Sequence, residues 1–480
     1  MGPDTEVRSG VTKRIIVVGA GGAGLAAALE AADAGASVLV LEAGDQVGGA
    51  TARAGGVVYA ADTPVQKARG IEDSVERLIN YYATVSRHEL EPRLMRRSAV
   101  GTREVIAWLE QLGITWEPER LYVAGLEFEP RGHLPTGDTR GLGPAGGAMI
   151  VAALLTAVEA RDEVEIRTRS RVAGLVIEGG YVVGARLEDG CVERADAVVL
   201  ASGGFGAGTE MLATHWPEAT RHGDWHWYLG PDTNVGDGLR MGLAAGGQFQ
   251  GRGGALLETP NFGRLNDAFT PPWLIYVNQR GHRFVDETDT YCVMPHVIGL
   301  QPGGVCWAVF DDAALRTVAD SGHLDPYGLH VDLESNWTAA RLREQIQAGV
   351  VKTGATLTEV AQAAGVEPGG LVATVEFWNA DVAAGHDSTF EKDGELVAID
   401  TGPFYAVELR PAIIGNTFGG LRIDDHARVL DVAGRPIPGL LAAGEITGGL
   451  DGDVYAGGGT SIGNALVFGR TAARTAVGAR

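Results

Sequence analysis

Apolar positions along the chain fall into short unbroken runs and into helical spacings, and their order outlines the fold. Ile15-Ile16-Val17-Val18 is an apolar run that suits a strand buried on both faces. Leu25 to Ala34, rich in Ala and Leu, favours helix. Gly35 ends it, and Ser37 to Leu41 supplies the next strand. From about Val65 to Gln111 the pattern turns helical with many Arg and Glu residues, and a second helix is predicted from Ala145 to Ala160. Val164 to Leu200 reads as several strands joined by Gly turns. An aromatic cluster, Trp225 to Gly230, precedes a helix that ends near Gly246. The pattern is then irregular from about Gly251 to Gly402, which predicts an inserted unit, before short strands, glycine turns and a final helix return.

Composition adds two constraints. Glycine occurs 71 times in 480 residues, about twice the usual share of ~7%, so tight turns and close backbone approaches are expected. The formal net charge of -22 repels phosphate backbones and anionic headgroups, which argues against nucleic acid and membrane-surface partners. Cys191, Cys292 and Cys306 match no metal or redox spacing. The opening residues carry no apolar leader and no stretch reaches the ~18 apolar residues of a membrane span, so a cytoplasmic protein is expected.

The first strand runs into Gly19-Ala20-Gly21-Gly22-Ala23-Gly24, and Glu42 closes the following strand. A GxGxxG between strand and helix, with an acidic residue about 20 positions on, is a dinucleotide fingerprint. Its glycines let backbone approach a pyrophosphate, the helix N-terminus stabilises the charge, and Glu42 would accept hydrogen bonds from the adenosine ribose. The fingerprint alone leaves NAD and FAD open.

The next segment, Gly48-Gly49-Ala50-Thr51-Ala52-Arg53-Ala54-Gly55-Gly56, resembles the FAD-binding subunits of fumarate reductases, succinate dehydrogenases and 3-ketosteroid dehydrogenases, where such a loop follows the isoalloxazine ring. Leu441-Ala442-Ala443-Gly444-Glu445 resembles the family's strand-turn whose Glu approaches the ribityl chain, and Val198 to Phe205, with Ser202 and Gly203, resembles another part of its FAD domain. The resemblance spans Lys13 to Arg470. It implies an α/β fold: a Rossmann-like FAD-binding domain in two parts, 1–250 and 404–480, around an α+β catalytic (capping) domain at 251–403. It implies FAD held non-covalently, since the first histidine is His88, far from the glycine loop.

The same resemblance points to candidate chemistry. Val277 to Tyr291, VNQRGHRFVDETDTY, is similar to the family's catalytic segment. There Arg283 stands as proton donor, or as an ion-pair partner of Asp286 or Glu287. Tyr291 stands where ketosteroid enzymes keep a base, although a free Tyr titrates near ~10 and would need help from its neighbours. Asp453 to Gly463 resembles those enzymes' C-terminal element. It implies that the Tyr455 hydroxyl and the Gly459 amide hold a ketone oxygen, with Ser461 and Ile462 on the cofactor side. Fumarate reductases carry a carboxylate-holding Arg here, and this chain has none between Arg435 and Arg470. His133 resembles a carboxylate-binding His of fumarate reductases, or is a residue of an ordinary turn, and Tyr122 is a candidate aromatic contact.

The implied activity is desaturation of the α,β bond of a cyclic ketone, most simply a 3-ketosteroid at Δ1 or Δ4, with a quinone, dye or other electron acceptor. A small oxocyclohexanecarboxylate is the alternative substrate. Reduction of an enone and a non-turnover flavin sensor are the rival functions.

Overall fold

A computed structural model describes residues 12–126, 129–223, 225–263, 270–317, 335–392, 394, 396–452 and 454–478. Asp453, the first residue of the C-terminal element, lies outside these described residues.

The short apolar runs form the middle of a six-stranded sheet, ordered Arg428–Leu430, Pro436–Ala442, Ala197–Leu200, Arg14–Val18, Ser37–Leu41, Val164–Arg167. Every neighbouring pair is parallel except the one at the Arg428–Leu430 edge. Ile15, Ile16 and Val17 are wholly buried, as a strand covered on both faces requires. The helix Gly22–Asp33 packs against Gly146–Glu159 and the final helix Thr460–Val477. From Arg14–Val18 the chain steps first to Ser37–Leu41 on one side and later to Ala197–Leu200 on the other. The carboxyl end of Arg14–Val18 is therefore the switch point at which open α/β sheets bind ligands.

The second sheet is centred on Phe404–Thr417, a strand of 14 residues. It pairs antiparallel with Gly254–Pro260, Cys306–Asp311 and Lys352–Gly354, and parallel with Trp227–Tyr228. Residues of Cys306–Asp311 alternate between two cores: Cys306, Ala308 and Phe310 face one with Trp273 and Trp337, while Trp307 and Val309 face the other with Trp378. Phe404–Thr417, expected to open the second nucleotide part, bonds to three strands of the 251–403 stretch, while its Ile414 sits in the core of the nucleotide sheet. Hydrophobic patterning identifies a strand but not its hydrogen-bond partners, so the sheet to which it belongs was not readable. The helical stretch expected over Val65 to Gln111 divides into Pro64–Ala68, Val75–Val85 and Pro92–Gln111. Among the described residues no helix is long and apolar enough to cross a membrane.

Candidate active site

A cavity of about 540 Å³ opens at the switch point. Its nucleotide end is made largely of backbone. Gly19 has φ +105, and a Cβ there would press into the Ala201 carbonyl. Gly24 sits behind the cavity wall, where a Cβ would collide with the Gly19 carbonyl, so strand and helix pack at glycine distance. Gly21 caps the helix Gly22–Asp33 without a side-chain hydrogen bond, and of the first-turn amides that of Gly22 donates to the Thr51 hydroxyl at 3.2 Å. No atom comes closer than 3.8 Å to where a Gly21 Cβ would stand. That is a backbone cradle for an anion. Gly22 and Ala23 line the cavity beside it.

Glu42 also lines the cavity; its two carboxylate oxygens accept from the Ala20 amide at 2.8 Å and the Gly44 amide at 2.7 Å. Each oxygen keeps a second acceptor direction. The loop Gly49, Ala50, Thr51, Gly55 and Gly56 forms an adjoining wall, while Gly48, at φ +118, stands behind it and turns the chain into the short helix Gly49–Arg53. Ser202 and Gly203 line the opposite side, and the buried Ser202 hydroxyl has no hydrogen-bond partner among the described residues. An orphan hydroxyl, an anion cradle and an acidic residue at the adenosine end fit a dinucleotide. Glu445 lines the cavity farther along, accepting from the Thr417 amide at 2.9 Å and the Thr417 hydroxyl at 3.1 Å. Burial pushes its carboxyl above the ordinary range. Ser461 and Ile462 complete this end, and no histidine lines the cavity among the described residues.

Tyr291, Tyr455 and Gly459 line the same cavity. Tyr291 comes from the inserted unit, and the other two from the last segment. The Gly459 amide lies 3.3 Å from the Tyr455 hydroxyl and donates to it, so amide and hydroxyl sit side by side on the cavity wall. Gly459 has φ +101, a conformation that suits glycine. Burial pushes the Tyr455 hydroxyl up to about 12 and raises Tyr291 well above 10. Both are therefore neutral at neutral pH. Tyr122 does not line the cavity, but its hydroxyl lies beside that of Tyr291. A Cβ on Gly458 would collide with the Tyr291 hydroxyl and stand 3.2 Å from that of Tyr122.

Two expected contacts are corrected. Arg283 is outside this cavity, and its donors are already used. It meets Glu287 at 2.9 and 3.0 Å and Asp387 at 2.9 and 3.1 Å, and stacks over Trp378. The Lys392 ammonium joins Glu287 at 3.0 Å, completing a buried network of two cations and two carboxylates. Arg283 thus anchors the segment that carries Tyr291, through the ion-pair alternative and not the proton-donor one. His133 is wholly buried; its ring nitrogens meet the Thr63 hydroxyl and the Arg131 carbonyl, each at 2.8 Å. Burial drives its pKa down to about 4, so it is a neutral core residue with no nitrogen left for a substrate.

Sequence reading missed Tyr228, whose hydroxyl lies 3.4 Å from Glu445 and accepts from Asn234 at 2.8 Å. The aromatic cluster around it was visible, but no motif assigned it a role.

Residues 14–462 match the FAD binding domain family. The chain belongs to that family. It is an FAD-dependent oxidoreductase of the fumarate reductase group, and FAD is its cofactor. The chain is 29% identical to a fumarate reductase (cytochrome) of Shewanella frigidimarina over 97% of this chain and 77% of the relative. It is 28% identical to a 4-oxocyclohexanecarboxylate 2-dehydrogenase of Sinomonas cyclohexanicum, over 97% of this chain and 93% of that one. Among solved structures it resembles the 3-ketosteroid-Δ4-(5α)-dehydrogenase of Rhodococcus jostii RHA1, with a TM-score of 0.78 and 28% identity over 98% and 99% of the two chains.

Proposed function

We propose that this flavoprotein desaturates the α,β bond of a cyclic ketone, most simply a 3-ketosteroid. The observation that carries this reading is that Tyr291 and the Tyr455–Gly459 donor pair line one cavity with the dinucleotide cradle. An incoming ketone oxygen takes the Gly459 amide over from the Tyr455 oxygen, and amide and hydroxyl together stabilise the negative charge that develops there. Neutral Tyr455 is the form a donor needs. Tyr291 receives the α-proton as its own hydroxyl proton leaves, and the neighbouring Tyr122 hydroxyl offers a route for it. Bound FAD supplies hydride-accepting chemistry.

The lining also supports a neutral substrate over a dicarboxylate. Its two arginines among the described residues are tied to other groups of the same lining: Arg53 donates to the Gly230 carbonyl at 2.8 Å, and Arg171 pairs with Asp237. A smaller oxocyclohexanecarboxylate is the second candidate, supported by the name of the Sinomonas relative. A second reading, reduction of an enone, is favoured by one observation: the Tyr291 hydroxyl keeps its proton where it lines the cavity.

Anaerobic addition of a saturated 3-ketosteroid, or of 4-oxocyclohexanecarboxylate, should bleach the flavin absorbance. Absence of bleaching by either, with reoxidation of the reduced enzyme by an enone, would replace the desaturase with the reductase. Tyr291→Phe should lower turnover by ~10²–10⁴-fold, the usual weight of a proton-transferring group, while FAD stays bound. Full activity in that variant would remove Tyr291 from the chemistry.

A further inference from the structure

Tyr291 is carried by the inserted unit and the Tyr455–Gly459 pair by the nucleotide unit, so the chemistry proposed above needs a fixed separation between them. A third segment lies between the two. The Ala124 carbonyl accepts the Gly458 amide at 2.8 Å and the Cys292 thiol at 3.4 Å. Gly125 and Gly457 form an antiparallel bridge next to it. Cys292 is buried, directly follows Tyr291 in the chain, and adds to the upward push that burial exerts on the Tyr291 hydroxyl. From the other side the Tyr81 hydroxyl donates to the Ala456 carbonyl and fixes the loop before Gly458. One carbonyl therefore ties the segment bearing Tyr291 to the loop bearing the two donors.

We propose that Cys292 is a positioning residue: its thiol, donating to the carbonyl that also holds the Gly458 amide, sets the separation between Tyr291 and the Tyr455–Gly459 pair. A thiol is a weak donor, so its contribution is to orientation more than to stability. The size and burial suit the role. Alanine would leave the Ala124 carbonyl without its second donor, whereas serine keeps a donor on a shorter reach.

The turnover test rests on the desaturase reading; a second measurement does not. In the FAD-loaded enzyme, Cys292→Ala should lower kcat about five- to tenfold, the effect of one modest hydrogen bond expressed in the transition state, with KM nearly unchanged. The alkaline limb of its pH–rate profile should move to lower pH, because the thiol no longer opposes ionisation of Tyr291. Cys292→Ser should regain most of the lost kcat. Unchanged kcat and an unmoved limb in Cys292→Ala overturn the proposal, as does a kcat loss that serine does not relieve. If the wild-type enzyme oxidises no cyclic ketone, the desaturase reading fails alone. The clamp is then judged by ¹⁹F NMR of 3-fluorotyrosine-labelled protein, with the Tyr291 resonance assigned by Tyr291→Phe. That resonance should shift in Cys292→Ala while those of tyrosines on other sheets such as Tyr181 hold, and no shift overturns the clamp.

Discussion

The two ends of the cavity are made of different materials. At the nucleotide end the working groups are backbone amides and glycine Cα atoms, brought within reach by one turn between adjacent elements. At the catalytic end they are two tyrosine side chains and one loop amide from two units, and their placement depends on how each loop is fastened from a distance. Arg283 and Tyr291 share one short segment, yet the first is closed into a buried ion network and the second lines the cavity. A backbone-made site is specified where it stands, and a side-chain site is specified by its anchors.

The strongest way to sharpen that contrast is at Gly24. Gly24→Val would drive side-chain carbon into the Gly19 carbonyl, an overpacking that costs ~1–3 kcal/mol or more and distorts the cradle. The purified protein is expected to be colourless, with its far-UV circular dichroism retained; a yellow preparation with normal FAD content would break the idea of a rigid backbone cradle.

Next comes Arg283→Ala. Removing it leaves Glu287 and Asp387 short of a partner in the interior, which costs about 3–5 kcal/mol. Urea unfolding should register that loss, while turnover per bound flavin in the folded fraction stays within a few-fold. Normal stability with turnover per flavin collapsed would return Arg283 to the chemistry and erase its difference from Tyr291.

His133 alters neither flavin content nor turnover, and separates fastening from reactivity by pH. Its folded pKa of about 4 lies below the unfolded value of ~6.5. Between those limits the unfolded chain binds the extra proton, so stability is complete above pH ~6.5 and declines as pH falls toward 4, by ~3 kcal/mol for this residue. Urea midpoints measured across that window should fall less steeply in His133→Asn than in the wild type. Equal slopes would mean that His133 is not held neutral in the core.

What could be read in the sequence follows the same division. Gly19 to Gly24 and Glu42 were legible because a strand, a turn and a helix constrain one another over a few dozen residues. That Tyr455 and Gly459 stand together came from the family resemblance, and the Gly459 amide does meet the Tyr455 hydroxyl. Arg283 was legible in part: its pair with Glu287, four residues on, was one of the two alternatives, but Asp387 and Lys392, which close the network, come from about a hundred residues downstream. His133 was misleading for the same reason: its partner Thr63 lies 70 residues upstream. The junction Ala124–Gly458–Cys292 joins three distant stretches through one carbonyl, and no local pattern announces such a meeting.

The long strand Phe404–Thr417 has a practical consequence for dissecting the protein. Cutting the chain at 403 to isolate the inserted unit would remove the strand to which Gly254–Pro260, Cys306–Asp311 and Lys352–Gly354 all bond. The remaining strands would expose unpaired apolar edges, a template for aggregation. An excised fragment has to run through Thr417, and a nucleotide unit freed of its insert has to be rejoined near Gly419. Any such rejoined chain also gives up Thr417, and with it the two hydrogen bonds that hold Glu445.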